Sequence, residues 1–268
     1  MSAGTHQLIS AATPGFNLSL ASQPQTFELR VSNWAYGVQI TGVHVAANAS
    51  LVRLPDYGRR IEIIGDSISS GMYNSYEGLS SWAWNLAEGF GQTEFSVTAY
   101  PGICLSDQDC WGNPRGHKYM WYRIPDTSPR AQSLYGRNLE NAPLYDFGAH
   151  PAADLVIFYI GTNDNNAHNN VTKATYYDSY INLIEGIHGV WPKAKIIVCS
   201  LYLGFTAVGS SYVQRSGIND EIYRVYEHFK DQGYVEHFNT TGILQHNDIV
   251  RRQILTYLFP FCFSFLVV

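Results

Sequence analysis

Residues 61–69 read IEIIGDSIS: a short apolar run from Ile61 to Ile64 that stops at Gly65 and continues into Asp66, Ser67, Ile68 and Ser69. An apolar run of this length closed by a glycine reads as a buried β-strand. A serine just past such a strand, where the loop turns toward a helix, has its hydroxyl on the surface where strands end. Backbone N–H groups there point outward and can bind an oxyanion. Gly-Asp-Ser alone is an ordinary turn tripeptide, so its meaning depends on its surroundings. The serine is not framed as Gly-x-Ser-x-Gly, which excludes the strained nucleophile elbow built on that pattern.

Downstream of this segment, strand and helix patterns alternate. Residues 79–90 place Leu79, Ala83, Leu86 and Phe90 on one helical face, and Phe95 to Ala99 reads as a second strand. Asp154 to Ile160 (DLVIFYI) is a continuous apolar run, as expected of a strand covered on both faces. Residues 173–190 carry Tyr177, Tyr180, Ile181, Ile184 and Ile187 at helical spacing; Lys195 to Leu201 is another buried strand. Ile218, Ile222, Val225 and Phe229 mark a further helix, and Tyr234 to Phe238 a last strand. This alternation predicts an α/β fold: a parallel sheet in three layers, α/β/α. In such sheets ligands sit beyond the carboxyl ends of the strands. That places Ser67 beside the turn Tyr100-Pro101-Gly102 and the turn Gly161-Thr162-Asn163-Asp164. The stretch 103–153, rich in Gly, Pro, Asn and Trp, has little periodicity and is expected to be an insertion over the active face.

Upstream, residues 27–32 and 38–45 read as strands, the second with its alternation slipping at Gly42. Residues 1–58 are therefore expected to form a small β unit, part of a sandwich, followed by an α/β domain over 59–250 and an apolar tail over 251–268. The run Ile254–Val268 has no charge, yet it falls short of the ~20 residues a membrane helix needs and contains Pro260; no membrane span is expected.

With 46% hydrophobic and 15% charged residues, the chain of 268 residues is expected to fold around a packed core. Its net charge of −5 argues against nucleic acid or an anionic membrane as a partner. Aromatics reach 14%, which is read either as large cores or as a surface that stacks on sugars. The triplets at Asn17, Asn48, Asn170 and Asn239 are glycosylation sequons. Cys104 and Cys110 either close a local disulfide or stand as two thiols, and Cys199 reads as a buried, inert thiol. Residues 1–14 have no charged n-region or apolar h-region. Together these features are read as those of an extracellular protein whose leader is missing from this sequence. His117, His150, His168, His188, His237 and His246 show neither His-Glu-x-x-His nor paired-cysteine spacing, so no metal or cofactor is expected.

Gly-Asp-Ser, a glycine after the next strand, then Gly-Thr-Asn-Asp after a third buried strand, in that order, resemble the blocks of the SGNH (GDSL-type) hydrolase superfamily. The resemblance runs from about Arg60 to Asp248. The preceding β unit is similar to the end of the small N-terminal sandwich of family 2 carbohydrate esterases, and residues 27–248 look like their fungal secreted members. The resemblance implies a flavodoxin-like three-layer fold and removal of acetyl groups from polysaccharide. It implies Ser67 as the nucleophile, with Ser67 N–H, Gly102 N–H and the Asn163 side-chain amide as oxyanion donors. Acylated polysaccharide or a small ester is then the expected partner and a monomer the expected state. Trp82, Trp84, Trp111, Trp121 and Tyr73 are candidates for the sugar-facing surface, Trp82 and Trp111 foremost. Trp82 and Trp84, two apart on one helix, do not share its core face.

A serine nucleophile needs a base, normally histidine. In the family resembled, an Asp-x-x-His block supplies it near the C-terminus. This chain departs at about Val250 and contains no such block; after His246 there is no histidine. Three readings follow: a tail created by reading through a splice boundary, a relative that binds sugar without turnover, or His246, with Asp248, as a base from a shifted position. A lipid-directed esterase has only the apolar tail in its favour.

Overall fold

The computed structural model describes residues 4–8, 10, 12–13, 40–52 and 55–246. The chain divides into two compact units, Met1–Val31 and Ser32–Val268. The described part of the first is a turn in which Thr13 N–H donates to Ser10 O (3.0 Å) and Ser10 N–H to the Thr13 hydroxyl (2.8 Å). Of the expected N-terminal strands, 27–32 lies outside the described residues. Residues 40–45 form no strand and are exposed. The tail over 251–268 also lies outside them.

The second unit is built on a five-stranded sheet in the order β2-β1-β3-β4-β7, with every pair parallel. In chain order the elements are β1 (Arg59–Gly65), α1 (Trp82–Phe90), β2 (Thr93–Ala99), α2 (His117–Met120), α3 (Pro129–Tyr135), β3 (Leu155–Tyr159), α4 (Lys173–Val190), β4 (Lys195–Cys199), β5 (Phe205–Val208), β6 (Ser211–Gln214), α5 (Asn219–Phe229) and β7 (Val235–Phe238). All five residues of β3 are buried, as its unbroken apolar run requires. Trp82 of α1 packs on Tyr159 with ring centroids 5.5 Å apart, and Tyr180 of α4 packs on the adjacent Phe158 at 5.2 Å. Neighbouring residues of a strand point to opposite faces. Helices α1 and α4 therefore cover opposite sides of the sheet, giving three layers.

Local chemistry sets the ends of these elements. Ser81 caps α1 by accepting from Trp84 N–H, Thr172 caps α4 through Thr175 N–H, and Ser128 caps α3 just ahead of Pro129. The first helix begins at Trp82 rather than at residue 79, because the preceding residues 77–80 form a 3-10 turn. Strand β4 stops at Cys199, two residues early. There the Asn219 amide accepts from Leu201 N–H (2.7 Å) and donates to Leu201 O (3.0 Å), taking the place of a neighbouring strand. The antiparallel hairpin β5–β6 carries no apolar alternation and was not expected from the sequence. Within the insertion, Cys104 and Cys110 form a disulfide, while Cys199 is buried on β4 outside any disulfide. No helix among the described residues is long and apolar enough to cross a membrane.

The middle of β1 carries a carboxyl. Glu62, 6% exposed, accepts hydrogen bonds from Ser96, from Thr98 Oγ1 (2.6 Å) and from the Trp121 indole. Burial outweighs these donors and pushes its pKa up to about 7 from 4.5. A raised folded-state pKa means that the native chain holds the proton when the unfolded chain has lost it. Stability therefore falls as pH rises from 4.5 through about 7, by about 3 kcal/mol in all. Chemical denaturation of wild type and Glu62→Gln across pH 4.5–8 is expected to show this decline in wild type and its loss in the variant. Parallel pH profiles would refute the assignment.

Candidate active site

The site begins with register. Gly65, the last residue of β1, pairs with Ala99 of β2 on one side and with Tyr159 of β3 on the other. Three adjacent strands thus end level, about 4.8 Å apart, and the loops that follow leave from one edge. Ser67 lies two residues beyond its strand, Gly102 three and Asn163 four; all three are half-buried.

The first loop is anchored from below. A Cβ on Gly65 would strike the Ser69 side chain and lie 3.2 Å from Tyr159 O, so the position has no room for a side chain. Asp66 is fully buried; its carboxylate accepts from Ile68 N–H (3.0 Å) and faces Thr162 of the third loop. Burial, helped by nearby Asp164, raises its pKa to about 6. Ser67 O accepts from Met72 N–H (3.0 Å) and the Ser70 hydroxyl (3.1 Å), winding the chain into a turn behind the serine. Among the described residues, neither the Ser67 hydroxyl nor its N–H has a hydrogen-bond partner.

The second loop turns at Tyr100-Pro101-Gly102, where Ile103 N–H donates to Tyr100 O (3.2 Å) and Gly102 takes φ +83°. A side chain at Gly102 would meet Trp111 Cβ at 2.9 Å. The third loop locks onto the second: Asn163 Nδ2 donates to Ile103 O (2.8 Å), and the Asp164 carboxylate accepts from Leu105 N–H (2.8 Å) and Ser106 N–H (3.0 Å). Asp164 is raised in pKa by burial. An amide nitrogen carries two hydrogens, so the bond to Ile103 orients the Asn163 carboxamide and leaves one N–H available. The Gly102 N–H likewise has no acceptor among the described residues.

Sequence reasoning assigned His117 no role. It is fully buried, stacks on Tyr100 at 5.5 Å and places Nε2 2.7 Å from Gly65 O. A carbonyl oxygen only accepts, so Nε2 carries the proton. Burial lowers the ring's pKa to about 4 and keeps it neutral. The spacing of 52 residues between partners left no local signal for this contact.

The candidate sugar-facing aromatics separate. Trp111 is 52% exposed, stacks on His168 at 4.4 Å and adjoins Gly102. Trp82 is 1% exposed beneath Tyr159, so it belongs to the α1–sheet core and has no surface to offer a substrate. Trp84 meets Phe95 edge-on, Trp121 stacks on Phe147, and Tyr73 is exposed. His246 stacks on Tyr212 of the β5–β6 hairpin at 3.4 Å and meets Phe205 edge-on; Asp248 lies outside the described residues. Among the sequons, Asn48, Asn170 and Asn239 are exposed, and Asn17 lies outside the described residues.

A family model described as the GDSL-like Lipase/Acylhydrolase family matches residues 63–256. No curated protein matches the chain. A family two carbohydrate esterase from Clostridium thermocellum in complex with cellohexaose is 21% identical with a TM-score of 0.52, over 71% of this chain and 56% of that one. An acetyl xylan esterase from the rumen bacterium Butyrivibrio proteoclasticus is 17% identical with a TM-score of 0.52, over 73% and 59%. A family two carbohydrate esterase from Cellvibrio japonicus is 17% identical with a TM-score of 0.54, over 71% and 54%. The chain thus spans a little over half the length of these structures, and the likeness is one of fold.

Proposed function

The chain belongs to the GDSL-like lipase/acylhydrolase family, within the SGNH hydrolases, and on that premise we propose that it is a serine esterase that removes acyl groups, chiefly acetyl, from carbohydrate. The observation behind the proposal is the level ending of β2, β1 and β3, so that the loops carrying Ser67, Gly102 and Asn163 leave from one edge. Ser67 Oγ attacks the ester carbonyl carbon and gives up its proton to a base. The carbonyl oxygen becomes an oxyanion, held by Ser67 N–H, Gly102 N–H and Asn163 Nδ2–H. These donors are fixed before the reaction, so they favour the tetrahedral state over the flat ester. Collapse breaks the ester C–O bond, and the sugar oxygen leaves with the proton. Water then attacks the acyl-serine, releasing the carboxylic acid and restoring the Ser67 hydroxyl. Trp111, exposed beside Gly102, offers a flat apolar face to the sugar.

For the base, the sequence offers His246 as a fallback, acting from a position shifted from the family's Asp-x-x-His block. Among the described residues nothing hydrogen-bonds the Ser67 hydroxyl, and the His246 ring stacks on Tyr212. The exposed sequon asparagines and the Cys104–Cys110 disulfide support placing the protein in an oxidising, extracellular compartment. One feature favours a second reading, a sugar-binding relative without turnover: the sequence contains no Asp-x-x-His after Val250.

Acetate release from acetylated xylan decides between the two. The esterase reading predicts release by wild type and none by Ser67→Ala. Xylan binding without release supports the second reading and refutes the first. Loss of activity in His246→Ala assigns the proton to that ring; unchanged activity excludes it.

A further inference from the structure

A second recess lies away from the strand ends. It is a cavity of about 320 Å³ on the face of β1 and β2 that looks toward the insertion, at the small end of the range of ligand pockets. Its floor is Glu62; Trp121 and Phe147 form one wall, stacked at 4.4 Å. Tyr145 stands at the mouth, 37% exposed, stacked on exposed His150 at 5.1 Å. Arg123 also lines it: one guanidinium nitrogen donates to Ala142 O (3.0 Å), while its buried Nε–H has no acceptor among the described residues.

We infer that this cavity is a non-catalytic binding site for a sugar residue, separate from the Ser67 edge. Charge balance narrows the ligand first. With Arg60 already paired to Asp56 at 2.9 Å and Glu62 holding its proton up to about pH 7, Glu94 and Arg123 remain in the lining as one charge of each sign. A carboxylate or phosphate meets a like charge there, as does an ammonium group, so a neutral ligand is favoured. The aromatic wall then asks for an apolar face, and the polar floor for hydroxyls. Glu62 has two oxygens with about four acceptor positions and three donors already placed, which leaves capacity for one hydroxyl. A pyranose ring presents both surfaces together: C–H groups to stack on aromatics and hydroxyls for a carboxyl.

The test is calorimetric titration of the whole chain with xylotriose, which carries no ester, so the result does not depend on turnover or on the esterase proposal. Saturable binding is expected. Tyr145→Ala is expected to weaken it at least about tenfold, as is Glu62→Gln. Tyr145 is exposed, so its replacement keeps the fold, checked by circular dichroism, and supplies the decisive arm. Undiminished binding by Tyr145→Ala overturns the inference. So does loss of binding in Trp111→Ala alone, which places the sugar at the Ser67 edge, or an absence of binding by folded wild type.

Discussion

Ser67→Ala is expected to lower kcat on an aryl acetate by about 10⁶, the scale on which triad hydrolases lose turnover with their nucleophile. Substrate affinity should be nearly unchanged, because the variant keeps Trp111 and the two donors contributed by Gly102 and Asn163. Folding should also survive. The Ser67 hydroxyl has no hydrogen-bond partner among the described residues, so deleting it orphans no group, and surface changes of this kind shift stability by about 0.5 kcal/mol or less. The check is kcat and KM beside thermal melts. A Ser67→Ala chain that still releases acetate at an appreciable fraction of the wild-type rate removes the acyl-enzyme from the mechanism.

The second large effect falls on Asn163. Its carboxamide is oriented by Ile103 O at 2.8 Å, and its remaining N–H is directed by that bond. If this donor meets the oxygen only once negative charge has developed, Asn163→Ala should lower kcat by about 10²–10³ with KM little altered. A purely structural role predicts something else. Losing the bond to Ile103 would loosen the second loop, raising KM and lowering Tm while kcat fell modestly. Steady-state kinetics with a melting curve separates the two. Asn163→Asp should be no better than alanine, because a carboxylate donates nothing and repels the oxyanion.

Much of this was legible in the residues themselves. An apolar run ending in Gly-Asp-Ser marks both the strand and the exit where chemistry can sit, and the structure ends β1 at Gly65. Helix α4 covers 173–190 as its spacing indicated, with Thr172 as its cap. The rule that residues two apart do not share a helix face separated Trp82, which is buried, from Trp84, which is half-buried against Phe95. What stayed hidden depends on register or on long-range partners. Glu62 looked like one polar residue in an apolar strand. Only the pairing of Glu62 with Ser96 explains how a carboxyl is accommodated there, and only the path of the insertion supplies the Trp121 indole. His117 meets Gly65 through a loop with no periodicity. Hairpin β5–β6 left no trace because most of its residues are exposed and nothing imposes a period on them.

The most direct measurement is a crystal structure of the chain after reaction with an alkyl phosphonate ester, whose tetrahedral phosphorus mimics the acyl-transfer intermediate. The predicted result is phosphorus bonded to Ser67 Oγ, with one phosphonyl oxygen about 2.7–3.1 Å from Ser67 N, Gly102 N and Asn163 Nδ2 together. A phosphonyl oxygen turned away from Gly102 and Asn163, or phosphorus carried by a different residue, would contradict the account.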